Sequence, residues 1–109
     1  EDPLISVIKS TISPLSPKVN ELKFIAANRS YTRNKKIIGL CIKRRDGSYY
    51  SFNTLIYVAI HELAHALYQG DSKNHNKEWK QIFYNLLDDA HAMGIYNKDI
   101  EIERGYCGT

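Results

Sequence analysis

Apolar residues recur at steps of three and four through "DPLISVIKSTISPL", where Leu4, Ile5, Ile8, Ile12 and Leu15 fall in phase. This spacing predicts a short amphipathic helix from about residue 3 to 12, closed by Pro14 and Pro17. "NELKFIAA" and "KKIIGLCIK" change to the β-branched, alternating character of strands, the second with the sharper borders. Asp46-Gly47 in "RRDGSYYSF" is a strong hairpin signal, so residues 37 to 43 are expected to fold back on 48 to 52. Beyond Asn53, a good N-cap, "TLIYVAIHELAHALYQ" is apolar nearly all the way round, as a buried helix ending at Gly70 would be. After the polar stretch "GDSKNHN", the residues Trp79, Ile82, Phe83, Leu86, Leu87, Ala90 and Met93 form the cleanest helical stripe, stopped by Gly94. The tail "IEIER" alternates and reads as a short strand or an ordered extension.

These elements predict an α+β domain: an N-terminal helix, a small and mainly antiparallel sheet, then two packed helices. A length of 109 residues supports one core, so residues 1–109 are read as a single domain. Composition is that of a globular chain, with 43% apolar and 25% charged residues, and no apolar run is long enough for a membrane span. Because the first residue is Glu1, the chain is expected to be a processed or trimmed product, with any preceding segment out of view. Cys41 reads as a buried strand thiol; pairing with Cys107 is the alternative. Two cysteines without a secretory signal point to a reducing compartment, hence an intracellular protein of the cytoplasm or nucleus.

Three of the four histidines fall within "HELAHALYQGDSKNHNKEW". His61 and His65 are four apart, one turn from each other on one helix face, where two imidazoles reach a single ion. Glu62 sits about 100° round the axis, displaced from the ion's ligands but near enough to hold a water beside it. Zinc lowers the pKa of a bound water towards ~7, and a neighbouring carboxylate serves as general base. The competing reading is a pair of core histidines bonded to backbone, with Glu62 in an ion pair. Burying two imidazoles and a carboxylate in an otherwise apolar helix costs several kcal/mol unless something satisfies them, which favours metal.

A catalytic zinc keeps three protein ligands and one open position. His75 is the best third ligand: it stands four before Trp79 and so shares the stripe that packs on the preceding helix. Glu78 and Asp71 compete for that place. His91 lies roughly 120° from Trp79 on the wheel and reads as a solvated histidine, and Asp88 and Asp89 as outer acceptors or surface charge.

"HELAHAL", a spacer and "HNKEWKQIF" resemble the SprT-like and WLM families of zinc metallopeptidases, in which HExxH is followed by a histidine and, four later, an aromatic residue. His61, Glu62, His65, His75 and Trp79 match that pattern, and the likeness runs from about residue 30 to 90. The nine-residue gap between His65 and His75 is longer than in most WLM members and shorter than in many SprT-like ones. The metzincin pattern fails, since Tyr68 and Asp71 stand where it has glycine and histidine. The compact size is also similar to small gluzincin-like peptidases, in which a glutamate is the third ligand.

The resemblance implies a zincin-like fold and a zinc-dependent endopeptidase, with Glu62 as base and often with DNA-crosslinked proteins as substrate. It also implies a peptide added as a strand on the sheet edge above the active helix, here residues 37 to 43 or 48 to 52. The oxyanion donor is open among Tyr84, Tyr96, Tyr106 and Arg104.

Seven cations, Arg29, Arg33, Lys35, Lys36, Lys43, Arg44 and Arg45, run without an intervening acid and suit phosphate contact, though a solvated sheet edge kept soluble by charge is the favoured reading. Two alternatives to the open peptidase remain. One is a zinc-stabilised nucleic-acid-binding module without catalysis. The other is a peptidase covered by its own residues 1 to 17 or 95 to 109.

Overall fold

The computed structural model describes residues 2–69 and 76–103. Helix α1 spans Pro3–Ile12, as the spacing predicts. Asp2 caps it, its Oδ1 accepting the Leu4 N–H at 2.9 Å, and Pro3 occupies a first-turn position where no N–H is needed. Ile5, Ile8 and Ile12 are its buried edge. The two prolines then turn the chain through short 3-10 segments, Ser13–Leu15 and Pro17–Glu21.

Three strands follow: β1 (Lys23–Ala26), β2 (Tyr31–Arg33) and β3 (Ile37–Leu40). Their order is β1-β3-β2, with β1 parallel and β2 antiparallel to β3. The sheet is therefore mixed rather than mainly antiparallel. β3 enters between its two predecessors, so both of its edges are paired and it cannot offer an open edge.

The expected fold-back at Asp46-Gly47 is present but slight. Arg44 N–H donates to Ser48 O at 2.7 Å, Tyr50 N–H to Ile42 O at 3.1 Å, and Lys43 forms a lone bridge with Tyr49. Gly47 takes a φ of 89°, the left-handed conformation that favours glycine, and Asp46 Oδ1 accepts the Ser48 N–H. Residues 48 to 52 form no strand of the sheet.

A tighter hairpin joins β2 to β3 through Asn34 and Lys35, with φ of 54° and 55° and a 3.0 Å bond from Lys36 N–H to Arg33 O. Two successive left-handed residues define the turn type whose twist matches paired strands. On the outer face of the sheet, the Tyr31 ring lies over Gly39: a Cβ added there would meet ring carbons at 2.3 to 2.9 Å.

Helix α2 spans Phe52–Leu67. Its cap is Ser51, whose Oγ accepts the Thr54 N–H at 3.3 Å, not Asn53, whose amide is paired with the Asn97 backbone. It ends before Gly70 because Tyr68 turns extended. Helix α3 spans Lys77–Ala92, capped by Asn76 on the Trp79 N–H at 2.9 Å and stopped where Gly94 takes φ 77°. Met93 lies past the last helical turn and is exposed, so it drops out of the expected stripe.

The core joins α1, the inner row Phe24, Ile38 and Leu40, the buried run of α2, and Trp79, Phe83, Leu86, Leu87 and Ala90 of α3. This is an α+β domain. The tail makes no strand at residues 101–103, but Glu103 fastens it, accepting from Arg44 and, at 2.8 Å, from the Ser51 N–H. Cys41 follows β3, is half-buried and carries no free thiol, which corrects the expectation for it; Cys107 lies outside the described residues. Among the described residues, no helix is long and apolar enough to cross a membrane.

Candidate metal centre

The last two turns of α2 carry the chemistry. The helix is held against the sheet by residues buried on every side, among them Ile60, Leu63 and Ala64, so its three polar side chains sit among apolar neighbours. Glu62 and His65 are buried and His61 is half-buried. One ligand atom from each of His61, Glu62 and His65 lies within 4.8 Å of the others, a spacing that could hold a metal ion. Two imidazoles and a carboxylate are the donor types zinc accepts.

Helix α3 walls this face with aromatic rings. Trp79 stacks on His65 with centroids 4.7 Å apart and meets His61 edge-on at 4.9 Å; Phe83 lies 5.4 Å from His61. The stripe expected to pack on the histidine-bearing helix does so. His75 lies outside the described residues, as does Asp71. Glu78 is exposed at the start of α3 and does not join the cluster.

His91 is half-buried rather than fully solvated; its Nδ1 accepts the Lys98 N–H at 3.2 Å, about 18 Å along α3 from Trp79. Asp88 and Asp89 are exposed. Among the oxyanion candidates, Tyr84 is exposed, Tyr96 is buried with its phenol pushed up by that burial, and Arg104 and Tyr106 lie outside the described residues.

Glu62 is satisfied in an unusual way for a buried carboxylate. Its Oε1 accepts from Thr32 Oγ1 at 2.8 Å, and its Oε2 lies 3.2 Å from His61 Nδ1. Among the described residues, its only ion pair is with that histidine, and no lysine or arginine nitrogen lies within 4.0 Å.

Thr32, on the edge strand β2, was not among the residues singled out from the sequence. Neither was the part played by Lys35. Its ammonium crosses from the left-handed turn to the C-terminal end of α2, donating to His65 O at 3.0 Å and to Tyr68 O. A cation there offsets the unpaired carbonyls of the helix end.

The basic run is thus partly consumed by the fold. Lys35 caps α2, and Arg44 binds Glu103, Ser48 and the Tyr49 carbonyl. Arg29, Arg33, Lys36, Lys43 and Arg45 are exposed, with Arg33 over the Tyr31 ring at 5.0 Å and Lys43 over Tyr49 at 5.3 Å. The two segments expected as covers pack elsewhere in their described parts. α1 is built into the core, and residues 97 and 103 tie to the N-terminal end of α2, away from the histidines.

No known family and no solved structure matches the chain. It is 40% identical over 90 residues to Uncharacterized protein 136R of Invertebrate iridescent virus 6, covering 80% of this chain and 49% of that protein. It is 39% identical over 102 residues to Uncharacterized protein 042R of Invertebrate iridescent virus 3, covering 88% and 63%. A third, Uncharacterized protein R325 of Acanthamoeba polyphaga mimivirus, is 36% identical over 84 residues, covering 72% and 41%. The chain therefore spans between 41% and 63% of the length of these relatives.

Proposed function

We propose that this chain is a zinc-dependent endopeptidase domain of the HExxH type, as its resemblance to the SprT-like and WLM families implies. His61 and His65 would hold the ion, with His75 as third ligand, and Glu62 would act as general base. The observation that carries the reading is a carboxylate and two imidazoles converging within 4.8 Å on a buried helix face, where Glu62 lacks a lysine or arginine partner among the described residues. A buried anion so placed is costly unless a cation joins it, and the donor set suits zinc. When bound, zinc would supply Lewis-acid polarisation of a peptide carbonyl and a more acidic water.

The chain's own residues do the rest. Glu62 accepts the water's proton and delivers it to the leaving amine. Trp79 and Phe83 wall the histidines and limit solvent around them. β2, an edge strand of the sheet among the described residues and bonded to Glu62 through Thr32, is the strand along which a polypeptide would add. This replaces the expectation for residues 37 to 43 or 48 to 52, since β3 is central and the other segment makes no strand.

The exposed cations Arg29, Arg33, Lys36, Lys43 and Arg45 support a substrate associated with DNA. The alternative of a non-catalytic nucleic-acid-binding module draws on the same residues and leaves the buried Glu62 without a role.

The test pairs elemental analysis with cleavage of an unfolded polypeptide. Wild type should carry one zinc and cleave; Glu62→Gln should keep the zinc and lose cleavage. Undiminished cleavage by Glu62→Gln, or no zinc in the wild type, would sink the proposal.

A further inference from the structure

We propose that Thr32 is a positioning residue that keeps Glu62 in the role of base by holding its carboxylate away from the metal. This inference rests on the peptidase reading for its catalytic half and on metal binding alone for the other.

Thr32 is the middle residue of β2, and its Oγ1 lies 2.8 Å from Glu62 Oε1 and 2.8 Å from Glu62 backbone O. A hydroxyl has one proton, so it donates to one of these acceptors at a time. Both belong to the same residue, and the hydroxyl therefore braces the Glu62 side chain against its own backbone. A free glutamate side chain samples many rotamers, and this contact selects one arrangement among them.

The brace also distinguishes the two carboxylate oxygens. Oε1 lies against the strand hydroxyl, whereas Oε2 faces His61 Nδ1 at 3.2 Å. Oε2 is the oxygen that the strand does not hold. The need for a brace follows from the cluster itself. A Glu62 oxygen within 4.8 Å of the ligand atoms of His61 and His65 is near enough to become a ligand by a modest side-chain rotation. A carboxylate that coordinated the ion would fill the position that water requires and would cease to be a base. Thr32, fixed in the sheet by its pairing with Ile38, anchors the whole carboxylate against that rotation through its contact with Oε1.

The two outcomes of removing the hydroxyl differ in sign. Were Thr32 an ordinary outer support of the site, its loss would weaken metal binding, typically about 10–100-fold. If it withholds a ligand, its loss strengthens binding while impairing catalysis.

The experiment uses Thr32→Val, which keeps the shape, and Thr32→Ser, which keeps the hydroxyl, in the full chain. Zinc affinity is measured by competition with a chromophoric chelator, and cleavage of an unfolded polypeptide by steady-state kinetics. Thr32→Val should bind zinc several-fold more tightly, lose the gain when combined with Glu62→Gln, and show kcat about 10- to 100-fold lower at nearly unchanged KM. Thr32→Ser should match wild type in both.

Zinc affinity unchanged or weaker in Thr32→Val overturns the proposal, as does a Thr32→Ser variant as altered as Thr32→Val. If Glu62→Gln cleaves like wild type, the peptidase reading fails. Tighter zinc binding in Thr32→Val that depends on Glu62 would then still uphold the brace.

Discussion

Lys35 offers a prediction in which two opposing energies can be separated. Its backbone sits at φ 55°, a conformation that costs a residue with a Cβ about 1–2 kcal/mol. Its ammonium donates to His65 O and Tyr68 O at the C-terminal end of α2, where a cation contributes about 0.3–1 kcal/mol through the helix dipole. Charged hydrogen bonds add about 1.5–3 kcal/mol when shielded, and the low end applies to this half-buried side chain. Lys35→Met retains the backbone cost and loses the ammonium, so it should be about 1–2 kcal/mol less stable than wild type. Lys35→Gly loses the same contact but relieves the left-handed conformation. It recovers about 1 kcal/mol, after allowance for glycine's greater freedom in the unfolded chain.

The order of urea midpoints should therefore be wild type, then Lys35→Gly, then Lys35→Met, with slopes unchanged. A Lys35→Met variant as stable as wild type would show that the ammonium contributes nothing. Coincident midpoints for the two variants would remove the left-handed cost from the account.

Two further expectations concern stability. Arg44 and the Ser51 N–H hold the Glu103 carboxyl below its usual value of 4.5, so the stability from this clasp is complete above that pH and lost as pH falls through the lowered folded-state value. The stability gap between wild type and Glu103→Gln should shrink on acidification from about pH 6 to about pH 3, and a constant gap would remove Glu103 as the titrating group. Leu63, fully buried on α2 beside Glu62, should cost about 2–5 kcal/mol when cut to alanine, read by chemical denaturation of the metal-free chain.

What the sequence disclosed was local. α1 carries its cap, its proline and its apolar edge within a dozen residues, and α3 likewise holds its own stripe. His61 and His65 were legible because the helical repeat alone puts them on one face. β2 was not, since three residues with a turn lacking glycine give no strand period to read. The parallel pairing of β1 with β3 depends on contacts distant in sequence, which composition does not encode. Thr32 and Glu62 are thirty residues apart, and nothing near either marks the bond between them. Lys35 and Arg44 looked like members of a solvated basic run because the signal is charge; their long stems let them turn inward to a helix end and a carboxylate. A useful signal would have been "YTRNK" itself: strand-forming residues followed by Asn-Lys, a pair able to take the left-handed turn.

The notch at Gly39 under the Tyr31 ring governs more than the outer surface. Since neighbouring positions on a strand project to opposite sides, sliding β2 by one residue would swing Thr32 out to solvent and drive a tyrosine into the helix. The ring finds its seat only where β3 lacks a side chain, and that alignment alone aims the threonine at Glu62. A hydrogen atom on one side of the sheet thereby works as the detent that indexes the threonine–glutamate contact on the other.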